Sequence, residues 1–153
     1  VSKWTKAEQA EHRAELVADL RTEGLRQVTG SLRSPAGILN PSEGDGFCCL
    51  GRACEVAAKQ GITERAPSNS SWSGYSTLVL DPAGNGEATY DNGYLPNEVR
   101  EFYGFTTRKG QLRTRIETED FAATTLADLN DGLGWSFAQI ADLIEADGVE
   151  LTS

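Results

Sequence analysis

Cys48, Cys49 and Cys54 are the only cysteines of the chain, and all three fall within Phe47-Cys48-Cys49-Leu50-Gly51-Arg52-Ala53-Cys54. A thiolate can bind a metal or attack an electrophile. Structural zinc, however, wants four ligands, arranged as two separated pairs that wrap tetrahedrally. Here the spacing is Cys-Cys-x₄-Cys and the only histidine is His12. Adjacent residues of an extended chain also point to opposite faces, so no metal site is expected. A cysteine nucleophile needs a base within hydrogen-bond reach and something that lowers its pKa. Cys49 would gain thiolate character if it opened a helix. The sole imidazole lies elsewhere, between Glu11 and Arg13 of an amphipathic segment. It is expected on a face away from Leu16, as a solvated surface group. Buried, reduced thiols acting as small apolar side chains are the expectation, with a cysteine-dependent enzyme kept as an alternative.

Phosphate-binding patterns fail in detail. Gly44-Asp45-Gly46-Phe47-Cys48-Cys49 lacks the last glycine of a dinucleotide fingerprint, and Asp45 would repel a pyrophosphate. Gly104-Phe105-Thr106-Thr107-Arg108-Lys109-Gly110 reverses the glycine–lysine order of a P-loop. Residues 81–92 carry too few ligands for a calcium loop. What remains is a surface. Trp72, Tyr75, Tyr90, Tyr94 and Tyr103 gather around the glycine-rich middle, with Arg52, Arg108, Lys109, Arg113 and Arg115 as cations. Aromatics that stack a base, joined to cations that hold phosphates, would make a nucleotide pocket. Trp72 and Tyr94 are the candidate stacking groups and the five cations the candidate anion contacts. The competing reading is half-buried aromatics and solvated charges. No cofactor is expected.

The elements that must position these groups read as follows. A helix is predicted over about residues 5–23, with Trp4, Ala7, Ala14, Leu16, Val17 and Leu20 as its apolar stripe and Gly24 as its stop. Residues 30–35 and 46–49 flank a Gly-, Pro-, Asn- and Ser-rich loop, an irregular hairpin. A second helix runs from about 50 to 60, with Leu50, Cys54 and Ala57/Ala58 on one face. Residues 67–74 form a polar loop. Thr77-Leu78-Val79-Leu80 and Glu87-Ala88-Thr89-Tyr90 are predicted strands joined around Asn85-Gly86, a favoured hairpin pair. Leu95-Pro96 opens a short helix ending at Gly104, and a strand follows at 111–117. Near the C-terminus, Thr125-Leu126-Ala127-Asp128 and Ser136-Phe137-Ala138-Gln139 have capping-box spacing, with Trp135 and Ile140 as a hydrophobic staple. A helix-loop-helix thus closes an α+β fold: helices packed on a small, mostly antiparallel sheet, in a single domain spanning 1–153.

Composition limits the function classes. The chain has 14 basic and 23 acidic residues, a net charge of −9. Nine of those acids lie at or after Glu117, where there is no Lys or Arg, so residues 1–116 balance at 14 against 14. An acidic last quarter repels nucleic acid, and the final helix carries Asp142 and Glu145 rather than the cations of a recognition helix, so no direct DNA binding is expected. No apolar run approaches the ~20 residues that cross a bilayer. A cytoplasmic protein without a membrane partner is expected, because no signal-peptide core is visible and three cysteines suit no disulfide framework.

Four segments together resemble a family of small proteins encoded by tailed bacteriophages. They are Gly46-Phe47-Cys48-Cys49-Leu50-Gly51-Arg52-Ala53-Cys54, Tyr94-Leu95-Pro96, Leu126-Ala127-Asp128-Leu129-Asn130-Asp131, and Phe137-Ala138-Gln139-Ile140-Ala141-Asp142-Leu143-Ile144-Glu145. The resemblance implies a phage origin and the bacterial host cytoplasm, and it carries over no catalytic residue. Arg52 stands where an aliphatic residue is more usual. The expectation is an accessory protein that binds without turnover, most of all one sequestering a small nucleotide-type ligand of a bacterial defence system, and a homo-oligomer. The alternative is an inhibitor that grips a host protein through its acidic last quarter, imitating nucleic acid.

Overall fold

Helix α1 (Lys6–Leu20) begins at a reciprocal cap. Thr5 Oγ1 accepts from Glu8 N at 3.1 Å while the Glu8 carboxylate accepts from Thr5 N at 3.0 Å. Its buried face is Gln9, His12, Leu16, Val17 and Leu20. Ala7 and Ala14, expected in the core, are exposed, as are Ala10 and Ala18. His12 corrects the sequence reading: it is only 6% exposed. Four residues apart on a helix, His12 and Leu16 share a face. The imidazole stacks on Phe102 with centroids 3.6 Å apart and meets the edge of Trp4. Its Nδ1 lies 2.6 Å from Phe102 O and therefore carries the donated proton.

The structure, a computed structural model, describes residues 3–34, 45–65, 75–80, 86–91 and 93–153, and for 76–80 and 86–91 the backbone alone. The expected loop at 67–74 with Trp72, the hairpin loop at 35–44, the Asn85 turn and the Tyr90 side chain lie outside the described residues.

Three short strands follow α1: β1 (Arg26–Gln27), β2 (Arg33–Ser34) and β3 (Gly46–Phe47), ordered β1-β3-β2 with β1–β3 parallel and β2–β3 antiparallel. The chain then turns into α2 (Cys49–Lys59). Cys48 caps this helix, its Sγ accepting from Gly51 N at 3.3 Å. Gly51 is required by proximity: a Cβ there would sit 1.7 Å from Leu32 O. The turn is clasped from the far end of the sequence by Asn130. Its Oδ1 accepts from Cys49 N at 3.0 Å and from Gln27 Nε2 at 2.8 Å, and its Nδ2 donates to Val28 O and Asp131 Oδ1. The Cys-Cys-Leu-Gly and Leu-Asn-Asp segments are thus two halves of one joint. Helix α2 is buried nearly all round, Cys49 through Cys54 and then Val56 and Ala57.

Strand β4 (Glu64–Arg65) pairs antiparallel with β5 (Tyr75–Leu80), which pairs antiparallel with β6 (Gly86–Asp91) as the expected hairpin; Leu80 stands opposite Gly86, so Gly86 belongs to the strand and not to the tight turn expected there. Pro96 caps α3 (Asn97–Tyr103), so the proline precedes the first helical residue rather than being it; Gly104 ends the helix at φ +78°. Strand β7 (Gln111–Glu117) is as expected, and its antiparallel partner β8 (Ala122–Thr125) was not foreseen. Thr125 Oγ1 caps α4 (Leu126–Asp131), while Asp128 reaches back to Thr124 instead of Thr125. Ser136 and Gln139 form the expected full box at α5 (Phe137–Glu145), and Ile140 is fully buried with Trp135 packed on the core. The segment after α5 returns along the free edge of β7: Arg113 N donates to Gly148 O and Glu150 N to Gln111 O. Helix α1 packs on α5, α2 and α3. The architecture is α+β; among the described residues the strands form three small sheets, with β1–β3 the one parallel ladder.

Candidate functional site

The cations singled out in the sequence do not gather into one site. Arg52 is the clearest correction. Its Nε and Nη2 grip the Asp19 carboxylate at 2.8 and 2.7 Å, its guanidinium lies 4.7 Å from the Phe47 ring centre, and the two side chains are only 11% and 9% exposed. Burial pulls the guanidinium down, yet the Asp19 hydrogen bond and charge outweigh it and hold the pKa above its ordinary value. A cation so matched has little left for a ligand. Nearby, Arg65 forks onto both oxygens of Glu55, and the oxygen that takes the Nε bond also accepts from buried Tyr75 at 2.6 Å. Arg108 Nε donates to Leu95 O at 2.7 Å, and Arg115 pairs with Glu117 on the exposed strand. Lys109 and Tyr94 do meet, with Nζ 4.7 Å from a ring that is 45% exposed.

Arg113 enters a cavity with other cations. A pocket of about 270 Å³ is lined by Lys6, Gln9, Arg13, Arg113, Leu151 and Thr152. Lys6, Gln9 and Arg13, spaced three and four apart, share one stripe of α1, and Arg113 comes from β7. Each is fixed by a backbone carbonyl. Lys6 Nζ donates to Thr152 O at 2.8 Å, Gln9 Nε2 to Glu101 O at 2.9 Å, Arg13 Nη1 to Tyr103 O at 2.6 Å and Arg113 Nε to Asp147 O at 2.8 Å. A guanidinium has five N–H donors and an ammonium three, so these bonds orient the groups and leave capacity for an anion. Burial lowers the Arg13 pKa, Asp147 pulls it back up and Arg113 pushes it down again. Arg13 and Arg113 thus repel each other weakly across the pocket that both line.

Asp147 is the counter-charge. It is the non-glycine residue with positive φ among the described residues, at +61°, a conformation that Asp tolerates better than most side chains. Its carbonyl and carboxylate both hold Arg113, Oδ1 at 3.3 Å from Nη2. Strain of this kind concentrates at functional places.

Arg13 also lines a second, larger cavity of about 440 Å³ between α1 and α5. Its floor is Ala10, Ala14, Val17, Ala18 and Ile144, and Arg21, Glu145 and Asp147 stand on its rim. Arg21 bridges the far end, donating to Glu145 and Asp142 at 2.8 Å each. These pairs, with Arg113–Asp147 and Arg115–Glu117, tie four acids of the last quarter to arginines from earlier in the chain. An all-acidic face for a host partner is correspondingly broken up.

The thiols are core groups. Burial pushes Cys48 up to about 11 and Cys49 well above its ordinary value, against the thiolate character expected from a helix start. The Cys49 Sγ donates to Leu126 O at 3.5 Å, and Cys54 is fully buried. Among the described residues no group of three His, Cys, Asp or Glu could hold a metal ion, and no helix is long and apolar enough to cross a membrane. Sequence reasoning missed Lys6, Arg13 and Asp147. The Lys6–Gln9–Arg13 stripe was visible, but its meeting with β7 and the end of α5 depends on residues about a hundred or more positions apart.

The chain is therefore an α+β protein in which Lys6, Arg13 and Arg113 line one pocket and Arg13 also lines the neighbouring α1–α5 groove. Residues 8–148 match the family described as a domain of unknown function, DUF8296, and the chain belongs to that family. No curated protein and no solved structure matches it.

Proposed function

We propose that the protein binds a small phosphate-bearing ligand of nucleotide type at the pocket of Lys6, Arg13 and Arg113, and holds it without turnover. The observation that carries this reading is the convergence of three cations on one concave pocket that shares Arg13 with an adjoining groove. Phosphate suits guanidinium geometry and the remaining donors. Binding without chemistry fits the burial of the thiols and of His12, the groups that a cysteine-dependent reaction would use. The resemblance to phage accessory proteins makes a nucleotide signal of a bacterial defence system, met in the host cytoplasm, the ligand to test first.

Native mass spectrometry of protein from infected or nucleotide-fed cells should show a retained mass. Calorimetry with mononucleotides should then show loss of affinity in Arg113→Gln and Lys6→Gln. A charge-assisted hydrogen bond contributes about 1.5–3 kcal/mol, so the drop should be roughly ten- to a hundredfold for each. Equal affinity in wild type and both variants, or no binding of any phosphate compound, would overturn the proposal.

A further inference from the structure

The groove between α1 and α5 shares Arg13 with the cation pocket, so a ligand whose phosphate is held at Arg13 has the groove beside it for the rest of its body. Its dimensions are set by α1. From Arg13 to Arg21 is eight residues, about 12 Å at 1.5 Å per residue, and Arg21 closes that end by bridging to Asp142 and Glu145. A cavity of about 440 Å³ falls within the ~300–1,000 Å³ of small-molecule sites. It suits one compact body, and the bridge blocks a polymer running on.

The lining specifies the body's chemistry. Ala10, Ala14 and Ala18 recur every four residues and are exposed, giving a shallow, smooth apolar floor continued by Val17 and Ile144. Such a floor accepts a flat, apolar face. One rim carries Glu145 and Asp147, with side chains 63% and 69% exposed. Glu145 is held ionised by the Arg21 hydrogen bonds, and an ionised carboxylate only accepts hydrogen bonds. A flat body facing the alanines thus turns its edge toward acceptors. A purely aliphatic tail would satisfy the floor alone, whereas an amine-bearing heterocycle also donates to the acceptor sites that Arg21 and Arg113 leave open on the two carboxylates.

Resting on the phosphate-pocket reading above, we infer that the α1–α5 groove seats the base of a single mononucleotide, apolar face on Ala10, Ala14 and Ala18, with an exocyclic amine directed at the Glu145–Asp147 rim. Asp147 then does two things at once: it steadies Arg113 for the phosphate and reads the base.

Calorimetry on the wild-type protein with inorganic phosphate, octyl phosphate, AMP and IMP tests this. IMP puts a carbonyl oxygen where AMP has its amine, against the carboxylates. AMP should bind about tenfold or more tighter than inorganic phosphate, and IMP and octyl phosphate should each fall short of AMP by a similar factor. Ala14→Leu, at an exposed position that the fold tolerates, should cancel the advantage of AMP over phosphate and leave phosphate itself unaffected. Ala18→Leu should repeat that result if Ala14→Leu shifts the unfolding temperature. Asp147→Asn keeps a residue suited to positive φ and should abolish the AMP–IMP difference. The inference is overturned if octyl phosphate or IMP matches AMP, or if both leucine variants keep the AMP-to-phosphate ratio. In those outcomes, phosphate affinity that still collapses in Arg113→Gln leaves the pocket reading standing. Loss of all phosphate binding removes both.

Discussion

Replacing Gly51 by alanine sets two physical effects of opposite sign against each other. Gly51 lies in the first turn of α2, where alanine is the better helix former by roughly 0.5–1 kcal/mol. Propensity alone therefore predicts stabilisation. The added Cβ, however, would stand 1.7 Å from Leu32 O and 2.7 Å from Leu32 C. Both are backbone atoms, so no side-chain rotation relieves the clash, and the β2 segment must retreat by more than an ångström. Leu32 is fully buried, and its carbonyl accepts the Cys48 N–H at 3.3 Å, a bond that the retreat breaks. Overpacking costs about 1–3 kcal/mol and the lost hydrogen bond about 0.5–1.5 kcal/mol. After the propensity gain, Gly51→Ala should be destabilised by about 2 kcal/mol, or about 4–8 °C in unfolding temperature for a domain of this size. Urea titration followed by circular dichroism reads this as a lower midpoint at unchanged slope. A midpoint equal to or above wild type would refute the close approach of Leu32 to α2, and with it the account of why glycine stands in this motif.

The thiols and Glu55 give further checks. Cys48, Cys49 and Cys54 should resist alkylation in the native protein and all react in denaturant, because burial keeps the first two protonated and none is accessible. A native thiol reacting as fast as in denatured protein would reopen the cysteine-dependent alternative. For Glu55, burial pushes the pKa up, but the Arg65 and Tyr75 hydrogen bonds outweigh it and hold the folded-state value below the ordinary 4.5. A depressed carboxylate pKa contributes stability that is fully present above the unfolded value and is lost as pH falls through the folded one. Glu55→Gln should therefore be less stable than wild type near neutrality, with the gap narrowing below about pH 4.5. A gap constant down to about pH 3 would refute the ion-pair account.

Local chemistry was legible in the chain. The Ser136–Gln139 box, the β5 and β6 strands and β7 follow from side chains acting on backbone within a few residues, which is why spacing alone predicts them. The thiols' small, apolar role was legible too, from their spacing and the missing base. Strand β8 was not, because its residues Ala122–Thr125 acquire strand character only from their partner β7. His12 was misplaced on a face away from Leu16, although a four-residue separation puts both on one side of the helix. Only tertiary structure decided which cations matter. Arg52 looked available until Asp19, thirty-three residues away, proved to hold it. Lys6 and Arg13 join the candidate site only because β7 brings Arg113 to their pocket and the end of α5 brings Asp147 near Arg13. A side chain's charge is written in its type, but whether that charge is satisfied or left for a ligand depends on neighbours that the fold supplies from far along the chain.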